Sequence, residues 1–106
     1  MEQPGELAEG LALVRADDGF AAHEVFELLW RAASAGERDF YQGLVHVAVA
    51  TYQERRGNPV GRERQLQKAQ RRLAAYAPSH LGVDVDALLR WCEVSLADGT
   101  CPPVPV

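Results

Sequence analysis

The sequence predicts a single all-α domain covering residues 1–106, a compact five-helix bundle around a central apolar third helix. Three observations lead to this prediction. The chain has 106 residues, 47% hydrophobic and 25% charged, as in an ordinary globular domain. Five segments with helical periodicity are separated by glycine, proline and aspartate residues that end or begin helices. No run of alternating apolar and polar residues indicates a strand.

Residues that favour helix ends mark the boundaries. The helices are predicted at residues 5–16, 20–33, 37–56, 59–77 and 84–97. Asp17-Asp18-Gly19 forms a turn after the first helix, and either aspartate can cap the second. Gly36 and Gly57 stand where the second and third helices end, because glycine tolerates the left-handed conformation that closes many helices.

Capping residues and proline give the remaining boundaries. Asn58 and Pro59 supply the N-cap and the first residue of the fourth helix. Pro78 stops that helix, and Asp84 caps the fifth. The proline-rich tail at 98–106 cannot be helical, and we expect it either to pack as an extended strap or to be mobile.

The third helix differs from the others in its pattern. Its segment 43–52 is apolar nearly all round, as in a helix that is buried on every side. The fourth helix, in contrast, has only a narrow apolar seam on a very polar surface. We therefore expect the third helix to lie at the centre, surrounded by the other four.

Net charge and cysteine content limit the classes of function. The formal net charge of −4 gives no overall attraction to nucleic acid or to an anionic membrane, and no apolar run is long enough to span a bilayer. The acidic N-terminus lacks the basic start of a secretory signal. Cys92 and Cys101 form no CxxC motif, so neither a disulfide framework nor a cysteine zinc site is expected. These features favour a cytoplasmic protein without a membrane partner.

The charges are distributed unevenly. Residues 1–39 hold nine acidic and three basic side chains, and residues 54–72 hold seven basic and two acidic ones. The basic segment could contact RNA, but no aromatic residues for base stacking are interleaved with it, which makes a nucleic-acid partner unlikely on these residues. The simpler interpretation is a solvated helix face, or one that meets the acidic third within a chain or across a dimer.

Two polar stripes carry the side chains that could do chemistry. On the second helix, His23, Glu27 and Trp30 are spaced i, i+4, i+7 and lie beside the apolar face. On the third helix, Gln42 and His46 share a stripe with Gln53 inside the apolar stretch. Since polar groups on a central helix need partners, the simplest arrangement brings the two stripes together.

Converging stripes would form a metal or small-molecule site. Two imidazoles and a carboxylate are a ligand set that suits zinc or iron, and a neighbouring carboxylate could act as base for a metal-bound water. The predicted metal ligands are His23, Glu27 and His46, the predicted catalytic base is Glu24, and the predicted ligand-binding residues are Gln42, Trp30 and Asn58.

The same residues allow a structural interpretation. A histidine and a glutamate one turn apart often form only a supporting hydrogen bond. The zinc-protease motif H-E-x-x-H is absent because Glu27 occupies its fifth position, and the Glu-x-x-His motif of di-iron bundles is absent too. The alternative function is a non-enzymatic interaction module, a homodimer that uses Trp30, Trp91 or the tail.

Several ordered motifs resemble the domain of unknown function 309 family. Residues 20–30, FAAHEVFELLW, resemble its signature F-x-A-H-E-x-x-E-x-x-W, and residues 40–50, FYQGLVHVAVA, resemble F-x-Q-G-L-I-Q-x-A-x-A. Residues 55–61, RRGNPVG, resemble the turn R-R-G-N-x-x-G, and residues 66–73 resemble the helix L-x-K-A-x-x-x-L. The resemblance extends over about residues 20–76.

This resemblance implies a helical bundle and a small bacterial or archaeal protein. Members of the family have been labelled predicted metal-dependent hydrolases, which would make this chain such an enzyme. The polar motif positions carried over to this sequence are His23, Glu24, Glu27, Gln42 and Asn58. Two positions depart from the pattern, since His46 replaces a usual glutamine and Tyr52-Gln53 stands where a histidine is frequent. The first departure adds an imidazole to the candidate site, and the second removes one.

Overall fold

Five α-helices form most of the computed structural model, which describes residues 3–106. They are α1 (Gly5–Arg15), α2 (Gly19–Ala32), α3 (Ala35–Arg55), α4 (Pro59–Leu73) and α5 (Val85–Asp98). A 3-10 turn, Ala74–Tyr76, follows α4, and two antiparallel strands, β1 (Ser79–His80) and β2 (Val83–Asp84), precede α5. The all-α class predicted from the sequence is confirmed.

Side-chain caps fix the starts of three helices. Asp18, Asn58 and Asp84 each accept a hydrogen bond through Oδ1 from the backbone N–H three residues later, at distances of 3.1, 3.0 and 2.9 Å. These bonds satisfy N–H groups that have no partner inside the helix. The starts of α2, α4 and α5 therefore agree with the prediction to within one residue.

The connection between α4 and α5 departs from the prediction. The fourth helix was expected to reach residue 77, but it ends at Leu73 and continues as the 3-10 turn to Tyr76. The strands that follow were not expected. Each has only two residues, which is too short to show alternation. Leu81 and Gly82 form their turn with φ of 48° and 77°, a left-handed pair suited to a tight hairpin.

Each helix packs chiefly against its neighbours in the sequence. The main contacts of α3 are with α2 and α4, whereas α1 packs on α2 and α5 packs on α4. The eight buried residues of α3 are Phe40, Tyr41, Gly43, Leu44, Val47, Ala48, Ala50 and Thr51. The central position of α3 is confirmed, but the expectation that the other four helices surround it holds chiefly for α2 and α4.

A glycine sets the distance between α3 and α4. A Cβ atom placed on Gly43 would lie 2.6 Å from Cγ and Cδ2 of Leu73. Only a residue without a side chain lets the helices approach this closely. The approach brings the polar side chains of α4 next to the Gln42 and His46 stripe of α3.

The proline-rich tail packs as an extended strap, which is one of the two alternatives expected for it. Val104 and Val106 contact the core, and Nε1 of Trp91 donates a hydrogen bond to the carbonyl oxygen of Pro102 at 2.8 Å. Trp91 itself is buried. Among residues 3–106, no helix combines the length and the apolar character that crossing a membrane would need.

Candidate functional site

The two polar stripes line one pocket. This cavity, which we call the α2–α3 pocket, has a volume of about 310 Å³. Its lining residues are His23, Glu27 and Trp30 from α2, Gln42, Val45, His46 and Val49 from α3, and Gln65 from α4. Five of the residues predicted from the sequence therefore share a cavity.

The first histidine of the pocket has a defined tautomer. Nδ1 of His23 lies 2.5 Å from the carbonyl oxygen of Phe20, one turn earlier in α2. A carbonyl oxygen only accepts hydrogen bonds, so Nδ1 carries the proton and donates it. In the neutral ring Nε2 is then unprotonated, and it lies 3.8 Å from Oε2 of Glu27.

The second histidine is held in the same tautomer from another helix. Nδ1 of His46 lies 2.8 Å from Oε1 of Gln65, a carbonyl oxygen that accepts its proton. Partial burial lowers the pKa of His46, although the bond to Gln65 acts in the opposite direction. The cations Lys68, Arg72 and Arg71 lower the pKa further. His46 is therefore neutral at pH 7, with Nε2 free.

Together the two rings give the pocket its chemical character. Both imidazoles donate through Nδ1 to a carbonyl oxygen, so both offer Nε2 as a hydrogen-bond acceptor or proton acceptor. Glu27 adds a carboxylate, and Gln42 adds a carboxamide that both donates and accepts. Such a set has the chemistry to hydrogen-bond a small polar molecule and to accept a proton.

These donors do not fit a metal ion as they stand. Among residues 3–106, no three histidine, cysteine, aspartate or glutamate side chains are grouped closely enough to hold one. The metal-ligand roles of His23, Glu27 and His46 stay predictions that this geometry does not support. They share a pocket without forming a coordination sphere.

Two predicted site residues lie outside the pocket. Glu24 is exposed and is not part of the lining, so its role as a catalytic base stays a prediction. Asn58 caps α4, and its Nδ2 donates to Oε1 of Gln53 at 3.1 Å. This arrangement explains Asn58 by helix capping, and its ligand-binding role stays a prediction.

Sequence reasoning missed Gln65, which orients His46. The fourth helix has so many polar side chains that none stands out by spacing. Spacing does not single out Gln65, because Gln67 and Gln70 lie just as close in sequence to the apolar seam of Leu66, Ala69 and Leu73.

A second cavity adjoins the first along α4. This α3–α4 groove has a volume of about 370 Å³ and is lined by Asp39, Gln42, His46, Lys68, Arg71 and Arg72. Gln42 and His46 belong to both cavities. The two cavities are therefore adjacent and share part of one polar stripe of α3.

Ion pairs within the chain join the acidic N-terminal third to the basic segment. Arg72 donates to Asp39 at 2.9 Å, and Arg55 forms a salt bridge with Asp17. These contacts confirm the expectation that the two regions meet within one chain. They also balance part of the positive charge of the basic segment without an external partner.

A larger cavity, of about 560 Å³, lies between α1, the end of α3 and the tail. The carboxylates in its wall are already paired within the chain. Asp17 forms a salt bridge with Arg55, and Glu54 forms one with Arg62 at 2.5 Å. Burial raises the pKa of the Cys101 thiol in its wall to about 11, so this thiol stays protonated. We therefore place the candidate site at the α2–α3 pocket, although it is smaller.

Comparison with known protein families identifies a match over part of the chain. The model of the family described as "Domain of unknown function (DUF309)" matches residues 7–65. No curated protein and no solved structure matches the chain. The matched segment begins in α1, includes the whole of α2 and α3 and ends at Gln65, so it contains every residue that lines the α2–α3 pocket. It is also more than half of the chain, and the protein therefore belongs to the DUF309 family.

Proposed function

We propose that the α2–α3 pocket binds a small polar molecule and that His23, supported by Glu27, accepts a proton from it. The observation that carries this proposal is the shared tautomer of two histidines in one cavity. Phe20 and Gln65 occupy both Nδ1 atoms with carbonyl oxygens and leave both Nε2 atoms for a ligand. Binding is the first part of the proposal, and proton transfer is the second.

The shape and lining of the pocket support the binding part. Its volume of about 310 Å³ is near the lower end of the roughly 300–1,000 Å³ range of small-molecule sites. Val45, Val49 and the ring of Trp30 supply apolar surface for the body of a ligand. The guanidinium carbon of Arg38 lies 5.0 Å from the centre of the Trp30 ring and helps to hold it. Such a mixture of apolar walls and a few polar groups is typical of ligand sites.

The His23–Glu27 pair supports the proton-transfer part. When Nε2 of His23 takes a proton, the ring becomes a cation, and the Glu27 carboxylate at 3.8 Å stabilises it. The proton would come from the ligand itself or from a water that attacks it. Hydrolysis is the reaction class that fits the second case. Glu27 acts here as the electrostatic partner of His23.

The metal-dependent form of this hydrolysis remains a separate proposal. In it His23, Glu27 and His46 hold zinc or iron, and Glu24 activates a bound water. The donor geometry supports it less than the direct proposal, because these side chains are not gathered around one point among the described residues. Metal content of protein purified without an affinity tag separates the two. Stoichiometric metal that is lost in His23→Ala favours the metal form.

Fluorescence of Trp30 offers a direct test of binding. Trp30 lines the pocket, whereas Trp91 is buried beneath the tail, so Trp30→Phe removes the reporter and leaves the other tryptophan in place. We would titrate a library of small polar molecules and follow the emission. A ligand of the pocket changes the emission of the natural protein and has no effect on that of Trp30→Phe.

A second experiment tests whether the bound ligand contacts the two histidines. Ring ¹⁵N signals of His23 and His46 report the state of each Nε2, and a bound ligand shifts both. His23→Ala should weaken the ligand roughly 10-fold, the loss of one hydrogen bond to a polar group. Arg31→Ala, an exposed change on the same helix outside the pocket, is the control. If no compound of the library shifts the ring ¹⁵N signals of His23 and His46, the proposal is wrong.

The alternative function is a non-enzymatic interaction module that forms a homodimer. Fewer side chains support it. Trp91 is buried and bonded to the tail within the chain, which leaves it little surface to offer a partner. Leu28 and Phe20 on α2, 65% and 50% exposed, are the groups that a second copy of the chain would cover. Light scattering across a wide concentration range tests this homodimer, and a constant monomer mass would exclude it.

A further inference from the structure

The α3–α4 groove is a cationic extension of the α2–α3 pocket. Gln42 and His46 line both cavities, so a molecule bound against these side chains in the pocket lies next to the groove on the side of α4. The far wall of the groove is formed by Lys68, Arg71 and Arg72 of α4. Nothing in the proton-transfer proposal uses these three cations.

Two of the cations have no ionic partner. Arg72 donates to Asp39 at 2.9 Å, and this pair is neutral as a unit. Within residues 3–106, neither Lys68 nor Arg71 forms a salt bridge. They are spaced i, i+3 on α4 and therefore lie on one side of the helix. The groove thus holds two positive charges that an external anion can balance.

The charges of the groove also act on the pocket. Lys68, Arg72 and Arg71 line the groove together with His46, and all three lower the pKa of that residue, which the two cavities share. An anion placed among them would lie beside His46. Because His46 is neutral, the cations of the groove, and not the imidazole, attract that anion.

We propose that the α3–α4 groove binds the phosphate group of a small phosphorylated molecule whose remaining part occupies the α2–α3 pocket. This inference rests on the proposed function, because it names the substrate class of the same site. Lys68 and Arg71 together match the charge of about −2 that a phosphate monoester carries at pH 7. The amide of Gln42 supplies a further donor. A carboxylate would leave one of the two cations unbalanced.

The shape and the side chains of the groove favour a small molecule over RNA. None of its six lining residues is phenylalanine, tyrosine or tryptophan, and its one ring, that of His46, is bonded to Gln65, so unpaired bases have little surface on which to stack. Asp39 and Arg72 balance each other, so this part of the groove offers no free positive charge to a continuous phosphate backbone. A single phosphate avoids this part by lying between Lys68 and Arg71.

The test measures binding of inorganic phosphate, phenyl phosphate and phenol by NMR titration at constant ionic strength. Signals of the Gln42 side chain and of the His46 ring report the shared wall, and Trp30 emission reports the pocket. We expect inorganic phosphate to bind saturably. Phenyl phosphate should bind more tightly than either inorganic phosphate or phenol, because it contacts both cavities.

Charge variants locate the phosphate. The double variant Lys68→Ala/Arg71→Ala should weaken phenyl phosphate roughly 10-fold or more, as expected for the loss of charged hydrogen bonds. Arg64→Ala, which removes an exposed charge of α4 outside both cavities, should change binding by less than about twofold because salt screens it. Circular dichroism confirms that each variant is folded. Equal weakening in Arg64→Ala, or no saturable binding, would overturn the inference.

The results separate this inference from the proposed function. If phenol and neutral ligands bind the pocket but phosphate adds nothing, the phosphate assignment fails and the proposed function stands. If phosphate depends on Lys68 and Arg71 but phenyl phosphate never perturbs His23 or Trp30, the groove assignment stands and the proposed function fails. A single-stranded RNA that binds with strong salt dependence and is not displaced by phenyl phosphate overturns the small-molecule assignment.

Discussion

Nδ1 of His46 donates to Oε1 of Gln65 across 2.8 Å and ties the polar stripe of α3 to α4. His46 is one of two residues common to the α2–α3 pocket and the α3–α4 groove. The bond therefore fixes the ring at the junction of the two cavities and decides which of its nitrogens is free. Because the proton of the ring is already held on Nδ1, Nε2 can accept a hydrogen bond from a ligand without a change of tautomer.

Gln65→Leu should release this control. Leucine keeps nearly the same volume but cannot accept the Nδ1 proton, so the partly buried donor loses its partner at a cost of about 1–2 kcal/mol in the free energy of unfolding. The His46 ring then redistributes between its two neutral tautomers. Long-range ¹H–¹⁵N spectra measure the tautomers, and urea unfolding measures the stability. Gln67→Leu on the exposed face of α4 is the control. A ring that stays fully protonated at Nδ1 in Gln65→Leu would contradict the assignment.

The close approach of α3 and α4 predicts opposite effects at two glycines. In Gly43→Ala the new methyl group would lie 2.6 Å from Leu73, and the overpacking should cost about 1–3 kcal/mol. In Gly36→Ala nothing lies within 4 Å of the new atom. That change should stabilise the protein by about 0.5–1 kcal/mol, because alanine favours the helix.

Urea unfolding of both variants checks the pair. A change of helix propensity alone would raise the midpoint in both, so a lower midpoint in Gly43→Ala isolates the packing contact. The same variant should weaken ligands of the two cavities, because a wider α3–α4 spacing moves Gln65 away from His46. Equal stability of Gly43→Ala and Gly36→Ala would show that the helices do not meet at Gly43.

The helices and their order were predictable because local chemistry sets them. Asp18, Asn58 and Asp84 cap their helices through bonds that span only three residues, so the sequence alone contains both partners. The pairing of the α2 and α3 stripes was also predictable, since polar groups on an apolar helix require polar neighbours.

The rest depended on contacts between distant residues. Gln65 reaches His46 across the interface at which Gly43 lets α4 approach α3, and no spacing pattern within α4 announces that geometry. The two-residue strands at Ser79–His80 and Val83–Asp84 were missed for a different reason. They are too short to carry a pattern and are stabilised by their surroundings, including the bond of 2.6 Å between His80 and Glu37.

Asn58 offers a test that separates helix capping from ligand binding. Asn58→Ala should cost about 1 kcal/mol of stability, because Gly61 loses its acceptor and Gln53 loses its donor. Asn58→Asp keeps the Oδ1 acceptor and should stay within about 0.5 kcal/mol of the natural protein. Both variants should bind pocket ligands as the natural protein does, because Asn58 lines neither cavity. A folded Asn58→Ala with no ligand response would restore the ligand-binding role that the sequence suggested.

The buried thiol of Cys92 predicts how stability changes at alkaline pH. Burial raises the pKa of Cys92 to about 12, and the nearby Cys101 adds to the shift. In the unfolded chain the pKa is about 8.5. The folded state therefore holds the proton more tightly, and the stability that this proton contributes is complete below about pH 8.5 and is lost as the pH rises towards 12. Between pH 8 and pH 10 the loss should be on the order of 1–2 kcal/mol.

Cys92→Ala isolates this effect from other groups that titrate in the same range. The variant is less stable at every pH, because a side chain with 0% exposure is shortened and leaves a small cavity. Its loss of stability between pH 8 and pH 10 should nevertheless be smaller than that of the natural protein, since one titrating thiol is gone. Tyr41, whose pKa burial also raises, is present in both proteins and cancels in the comparison. Guanidinium unfolding at the two pH values gives the slopes, and identical slopes would mean that the Cys92 thiol is reached by solvent in the folded protein.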